Sequence, residues 1–190
     1  MVRKRTDRRP VIFHRWGGLG SHRYQIGFSG DALINFQTLG FQPYFTATAS
    51  NVGYGYWGHD LGGHAFTDES IVNDPELVLR WIQFGVFTPI FRTHATNDAR
   101  IERRIWKFDN FPTMLEAVRL RYSLFPYLYT MARKAYDTGI SVCRPLYYEY
   151  PESEEAYVYE NEYFFGDDIL VVLSLIHIYE PTRLQLISYA

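Results

Sequence analysis

Residues 10–31 read PVIFHRWGGLGSHRYQIGFSGD, and the fold turns on how this stretch is divided. Residues 10–15 form a short apolar run opened by Pro10 and followed by glycines, the pattern of a buried strand that ends in a loop. Residues 24–28 (YQIGF) form a second short strand that ends at Ser29-Gly30-Asp31. The five glycines between His14 and Asp31 invite comparison with a phosphate-cradling loop. That reading fails, because no second Gly-x-x-Gly step and no Gly-Lys-Ser/Thr follows. What remains is a pair of strands whose C-terminal ends carry a cation, Arg15, and a carboxylate, Asp31.

The same unit recurs downstream. Residues 32–50 contain a helix with Leu33, Phe36 and Leu39 at helical spacing, expected to break at Pro43. Residues 52–64 (VGYGYWGHDLGGH) are an aromatic strand running into a Gly-flanked polar loop. Residues 74–87 are a helix, with Asp74 suited to the N-cap and Pro75 to the first helical position. Residues 88–96 (TPIFRTHAT) are another apolar strand with a polar end. From 113 to 136, Leu115, Val118, Tyr122, Phe125, Leu128, Tyr129 and Ala132 keep a helical period, with Pro126 expected to kink the helix or end its first part and Gly139 to stop it. Strands alternating with helices predict an α/β protein with a parallel sheet. Arg15, Asp31, His59, Asp60 and His94 all fall at strand C-terminal ends, where both a (β/α)8 barrel and an open doubly wound sheet place their chemistry.

After Gly139 the helical period disappears. Residues 140–172 are β-rich, acidic and aromatic, so a separate β domain is expected to begin near 140. With 190 residues the chain is long enough for one domain with a sizeable core, or for part of a larger one. A net charge of −2 gives no basic field for nucleic acid or an anionic membrane, and no 18-residue apolar run predicts a membrane span. The basic cluster Arg3, Lys4, Arg5, Arg8 and Arg9 reads as a solvated tail. Cys143, the single cysteine, rules out an intramolecular disulfide and reads as a buried thiol.

Two chemistries can be drawn from the strand-end residues. A metal site could use His59, Asp60, His64 and His94, but no His-x-x-x-His spacing on a helix supports one, and no metal or other cofactor is expected. Glycoside cleavage needs two carboxyl groups flanking the bond, plus neutral and cationic groups to hold sugar hydroxyls. Asp31 suits the proton-donor role, and Arg15, His59, Asp60 and His94 the holding roles. A donor must stay protonated near neutral pH, so Asp31 is expected to have a raised pKa. Bland alternatives stand beside these: Asp31 as the N-cap of a helix from Ala32, Asp60 as a turn former, and His94 and Trp57 as core residues.

Four motifs now stand in order: RWGGLGSHRYQIGFSGD, GYGYWGHDLGGH, FTPIFRTHAT and NEYFFGDDIL. Together they resemble glycoside hydrolase family 31, the retaining α-glucosidases, α-xylosidases and relatives, over roughly residues 9–172. The resemblance implies strands five to eight of a (β/α)8 TIM barrel in residues 1–139, followed by the start of a β-sandwich domain in 140–172. It implies that Asp31 is the general acid/base and that Arg15 binds sugar hydroxyls beside the nucleophile. Phe28 takes a position often held by Trp, Tyr56 and Trp57 look like an aromatic wall, Asp60 like a polar floor, and His94 like a hydroxyl-holding histidine. The expected partner is an α-glucoside or oligosaccharide.

The family's nucleophile motif, Trp-x-Asp-Met/Leu-Asn, is absent from the sequence, so the chain is expected to carry half of the two-carboxylate machine. Half a barrel, with open sheet edges, is expected to be marginally stable and inactive alone. An α-xylosidase, a transglycosylase, an α-glucan lyase or an inert sugar-binding fragment are the competing outcomes on the same scaffold. The family pattern also stops after FGDDILV. Residues 173–183 (LSLIHIYEPTR) resemble a translated transposase-type sequencing-library adapter, so 173–190 are expected to be foreign to the protein.

Overall fold

The computed structural model describes residues 11–15, 17–67, 71–172 and, as backbone, 186–188. The basic cluster at 3–9 and most of the 173–190 segment lie outside the described residues.

Three short strands, β1 (Phe13–Arg15), β2 (Ile26–Phe28) and β3 (Trp57–Gly58), form a parallel sheet in the order β1-β2-β3. Phe13 lies opposite Ile26, Arg15 opposite Phe28, and Phe28 opposite Gly58. The apolar run expected as a fourth strand contributes two parallel bridges, Gly58 to Ile90 and Leu61 to Thr93. Neighbours in space follow their order in the chain, without the reversal that marks a doubly wound sheet. The sheet is an arc of a (β/α)8 barrel, and its C-terminal loops all open on one side.

Helices α1 (Phe36–Thr48) and α2 (Pro75–Val86) follow β2 and β3. In α2, Asp74 caps the N-terminus by accepting from the Glu76 and Leu77 amides at 2.9 and 3.3 Å. Every residue from Leu77 to Val86 is buried, so α2 is the centre of the core. Pro43 does not break α1 as expected, but sits inside it. An interior proline costs about 3 kcal/mol; here Leu39, Pro43, Thr46 and Ala47 are all buried, so packing carries the helix through. The N-cap is Asn35, which accepts from the Thr38 amide at 2.7 Å. Asp31 is therefore not the helix cap.

The long helical pattern divides at Leu124 into α3 (Phe111–Ser123) and α4 (Phe125–Thr138), with Pro126 in the first turn of α4. Gly139, at φ 77°, ends α4 in the left-handed conformation that glycine adopts without strain. The buried face agrees with the expected one at Leu128 and differs elsewhere: Met114, Ala117 and Met131 are buried, whereas Tyr122, Phe125 and Tyr129 are exposed. Arg121 of α3 donates to the carbonyls of Val86, Thr88 and Pro89 at 2.5–2.8 Å, fixing the start of the 88–94 segment.

Beyond Gly139, β4 (Cys143–Pro145), β5 (Glu162–Phe165), β6 (Ile169–Val172) and β7 (Leu186–Ser188) make an antiparallel sheet, with a short helix α5 (Glu155–Val158) between β4 and β5. The two parts share one core: the Tyr163 hydroxyl and the Cys143 thiol both donate to the Phe87 carbonyl at the end of α2. Burial pushes the Cys143 thiol up, keeping it neutral. Among the described residues, no helix is long and apolar enough to cross a membrane.

Candidate active site

The site is built by backbone stitching between loops. After β2, Gly30 (φ 88°) turns the chain and presents Asp31. The His64 and Ala65 amides then donate to the Ala32 carbonyl at 2.7 and 3.1 Å, and the Ile34 amide to the Ala65 carbonyl at 2.8 Å. Those bonds bring the loop after β3 alongside the loop after β2. The β3 loop is held on its other side by Arg103, which donates to the Gly62 and Gly63 carbonyls at 2.7 and 2.9 Å. Gly63, at φ 80°, faces Ile34 so closely that a Cβ would lie 2.9 Å from its Cα.

Six polar side chains, Arg15, Asp31, Asp60, His64, Arg92 and His94, converge on this rim. Arg15, at the end of β1, forms an ion pair with Asp31, both about half exposed. Asp60 is fully buried and pairs with Arg92 through Oδ1. His64 stands between the two carboxylates, with Nδ1 3.1 Å from Asp60 Oδ2 and Nε2 3.8 Å from Asp31 Oδ1. The 3.1 Å contact is close but misaligned, so Asp60 Oδ2 and His64 Nδ1 both lack a well-directed hydrogen bond. The His94 ring, on the 88–94 segment, lies 5.2 Å from that of His64. Phe28 stacks on Phe13 at 4.8 Å, and the Arg92 guanidinium sits over both rings at 4.8 and 5.6 Å from their centres.

Asp31 does not show the raised pKa expected of a proton donor. Its hydrogen bond from Arg15 lowers the value, partial burial opposes this, and the charges of His64, Arg15 and His94 add to the lowering. The cause is a half-exposed carboxylate paired with the Arg15 guanidinium.

Two residues proposed from sequence are elsewhere. His59 is wholly buried, with Nε2 2.7 Å from Thr46 Oγ1 and Nδ1 2.9 Å from Ser29 Oγ. Burial, reinforced by Arg92, brings its pKa down to about 3, so it is a neutral core histidine. Trp57 is 1% exposed and packs against Phe45 and Tyr54 beneath the sheet, not on the rim with Asp31. Tyr56 beside it is half-buried, and that burial raises its phenol pKa.

Three participants carry no assigned role in the sequence pattern: His64, which stands there only among possible metal donors, and Arg92 and Arg103. The spacing argument against a metal also missed a proximity. Asp60, His64 and His94 each offer a donor atom within 4.8 Å of the others, and two imidazoles with a carboxylate are a donor set that divalent transition metals accept. Arg92 already holds one oxygen of that carboxylate.

The geometry is matched by the sequence as a whole. Residues 1–131 match the family described as "Glycosyl hydrolases family 31 TIM-barrel domain", and residues 139–175 the "Glycosyl hydrolase family 31 C-terminal domain". The chain belongs to glycoside hydrolase family 31. This is a family of retaining α-glycosidases. The chain is 36% identical over 164 residues to a "Probable glucan 1,3-alpha-glucosidase" of Oryza sativa subsp. japonica, covering 85% of this chain and 17% of that protein. Among solved structures, a family 31 α-xylosidase from a soil metagenome complexed with xylose superposes with TM-score 0.69 at 33% identity, covering 78% of this chain and 25% of that one. The Flavobacterium johnsoniae dextranase FjDex31A complexed with glucose gives TM-score 0.72 at 32% identity, covering 80% and 20%. The chain thus spans well under a third of each of these relatives.

Proposed function

We propose that the protein carrying this chain hydrolyses α-glucosidic bonds with retention of configuration, using Asp31 as general acid/base. The observation that supports this most is the convergence of Arg15, Asp31, Asp60, His64 and His94 from consecutive loops on one rim of a barrel arc. In the first step the Asp31 carboxyl gives its proton to the leaving oxygen, while a carboxylate on the opposite face of the sugar attacks the anomeric carbon. In the second step the Asp31 carboxylate takes a proton from the water that releases the sugar. The attacking carboxylate would come from outside these 190 residues, which contain no Trp-x-Asp-Met/Leu-Asn motif. Set about 5–5.5 Å from Asp31, as retention requires, its negative charge would also raise the Asp31 pKa. On this reading the 190-residue chain assayed alone gives no turnover.

On this reading the exposed His94 ring offers a polar contact to a sugar hydroxyl, and the buried Asp60 carboxylate forms the polar floor behind it, holding Arg92 and His64 in place. Arg15 reaches a neighbouring hydroxyl while holding Asp31, and Phe28 with Phe13 supplies an apolar side wall. The test is Asp31→Asn in the full-length protein, assayed on a disaccharide and on an activated aryl α-glucoside. Loss of a general acid is worth about 10²–10⁴, so that loss in kcat/KM is expected on the disaccharide and a much smaller one on the aryl glucoside, whose kcat still falls because the second step needs Asp31 as base. Near-wild-type rates on the disaccharide refute the assignment. The xylose-bound relative supports an α-xylosidase as the second reading; an aryl α-xyloside cleaved faster than the α-glucoside would establish it.

A further inference from the structure

His64 has a geometry that the family assignment leaves without a purpose. Its two nitrogens face two different carboxylates. Nδ1 lies 3.1 Å from the buried Asp60 Oδ2, so ring alignment, not approach, is all that a hydrogen bond still requires. An ionised carboxylate accepts only, which places the proton on Nδ1 and turns Nε2 towards Asp31 Oδ1, 3.8 Å away. Asp60 cannot swing away, because Arg92 holds its other oxygen and the side chain is 1% exposed. The His64 backbone is held beside Asp31, because its own amide donates to the Ala32 carbonyl one residue past it.

We propose that His64 is a positioning residue that shares a single proton with Asp31, so that the proton donor is a carboxylate–imidazole pair rather than a lone carboxyl group. The inference rests on the acid/base reading of Asp31 given above. The groups facing the imidazole are Asp31, Asp60 and His94, with Arg15 and Arg92 behind the two carboxylates. Arg15 favours the ionised form of Asp31, which by itself sheds its proton well below neutral pH. The imidazole nitrogen that faces Asp31 gives the proton a second place to reside, so the pair can hold a proton that Asp31, beside Arg15, does not keep by itself. In the transfer within the pair, the Nε2–H bond of the imidazolium breaks and an O–H bond forms at Asp31 Oδ1. A cation and an anion become two neutral groups, and the net charge is unchanged. Closing the gap takes about 1 Å of approach or one bridging water.

The test is the pH profile of kcat/KM for wild type and His64→Gln in the full-length protein, on a disaccharide and on an activated aryl α-glucoside. For the disaccharide, the basic limb is expected to move at least one pH unit towards acid in His64→Gln, which is a tenfold loss or more at a pH above the midpoints of both limbs. The aryl substrate, which needs little protonation, shows no such shift. A limb that stays in place, or an equal loss on both substrates at every pH, overturns the pairing and leaves His64 a sugar-holding or structural group. Asp31→Asn separates the two claims. If it spares the disaccharide, the acid/base reading is wrong; if it abolishes that activity while the His64→Gln limb is unmoved, only the pairing is wrong. Should His64→Gln unfold, His64→Asn, neutral and smaller, gives the same comparison.

Discussion

Replacing Arg92 by Met should expose how the rim is held. The Arg92 guanidinium forms an ion pair with Asp60, whose side chain is 1% exposed, while Arg92 is itself 29% exposed. Removing one partner of a buried pair leaves an uncompensated charge, at a cost of about 3–5 kcal/mol. Access of water to Arg92 in the intact pair places the loss near the lower end, about 3 kcal/mol. The guanidinium also covers the Phe13 and Phe28 rings, and such contacts at partly exposed sites add roughly 0.5–1 kcal/mol. The expected total is about 3–4 kcal/mol, which for 150–250 residues lowers the unfolding midpoint by about 6–16 °C. A double-mutant cycle in urea and thermal unfolding provides the check. Asp60→Asn in the Arg92→Met background removes the stranded charge, so the double variant should be more stable than Arg92→Met alone. The sign with pH follows. An unpaired buried carboxylate binds its proton more tightly in the folded than in the unfolded state, so Arg92→Met loses most at high pH and the gap narrows on acidification. An Arg92→Met loss below about 1 kcal/mol, or a double variant no more stable than the single, would falsify the view that Arg92 holds a charged Asp60 in place.

Two further outcomes are expected. His59 has a pKa of about 3 in the folded state against about 6.5 unfolded. Its share of stability is therefore intact above pH 6.5 and is lost at about 1.4 kcal/mol per unit as pH falls towards 3; His59→Gln should flatten the stability curve over that interval, and an unchanged slope argues against a buried neutral imidazole. Gly63→Ala puts a side chain at φ 80° and against the Ile34 backbone, so a loss of about 1–3 kcal/mol and a raised KM are expected together, because His64 is the next residue; a midpoint and KM within error of wild type would show that the loop has another way to close.

Local chemistry wrote much of the fold into the sequence. Asp74-Pro75 starts α2, Pro126 divides α3 from α4, and Gly139 ends α4, because each acts through its own backbone geometry. The strand ends were legible for the same reason: a short apolar run that stops at a polar or Gly-rich turn can place Arg15, Asp31, Asp60 and His94 on one side of a sheet. Pro43 was misjudged because a local penalty was weighed without the burial around it, and the exposed row of Tyr122, Phe125 and Tyr129 was misjudged because periodicity finds a face without saying what covers it. The family resemblance implies an aromatic wall at Trp57, yet its side chain is 1% exposed and packs on Phe45 and Tyr54, the core placement that stood as the alternative.

His64, Arg92 and Arg103 were missed for a different reason. Each acts through a contact set by loop register: His64 through the bonds to Ala32, Arg92 through the bridge between Leu61 and Thr93, and Arg103 through two glycine carbonyls about 40 positions away. No spacing rule encodes such a register. The same contacts explain why Asp31 is ionised where its proposed chemistry needs a proton. Arg15 and the imidazoles stabilise its anion, so a protonated Asp31 has to come from groups that share or oppose that charge. His64 can share a proton with it, and a carboxylate on the opposite face can oppose its charge, so the acid function of Asp31 belongs to the assembled site and not to the residue alone.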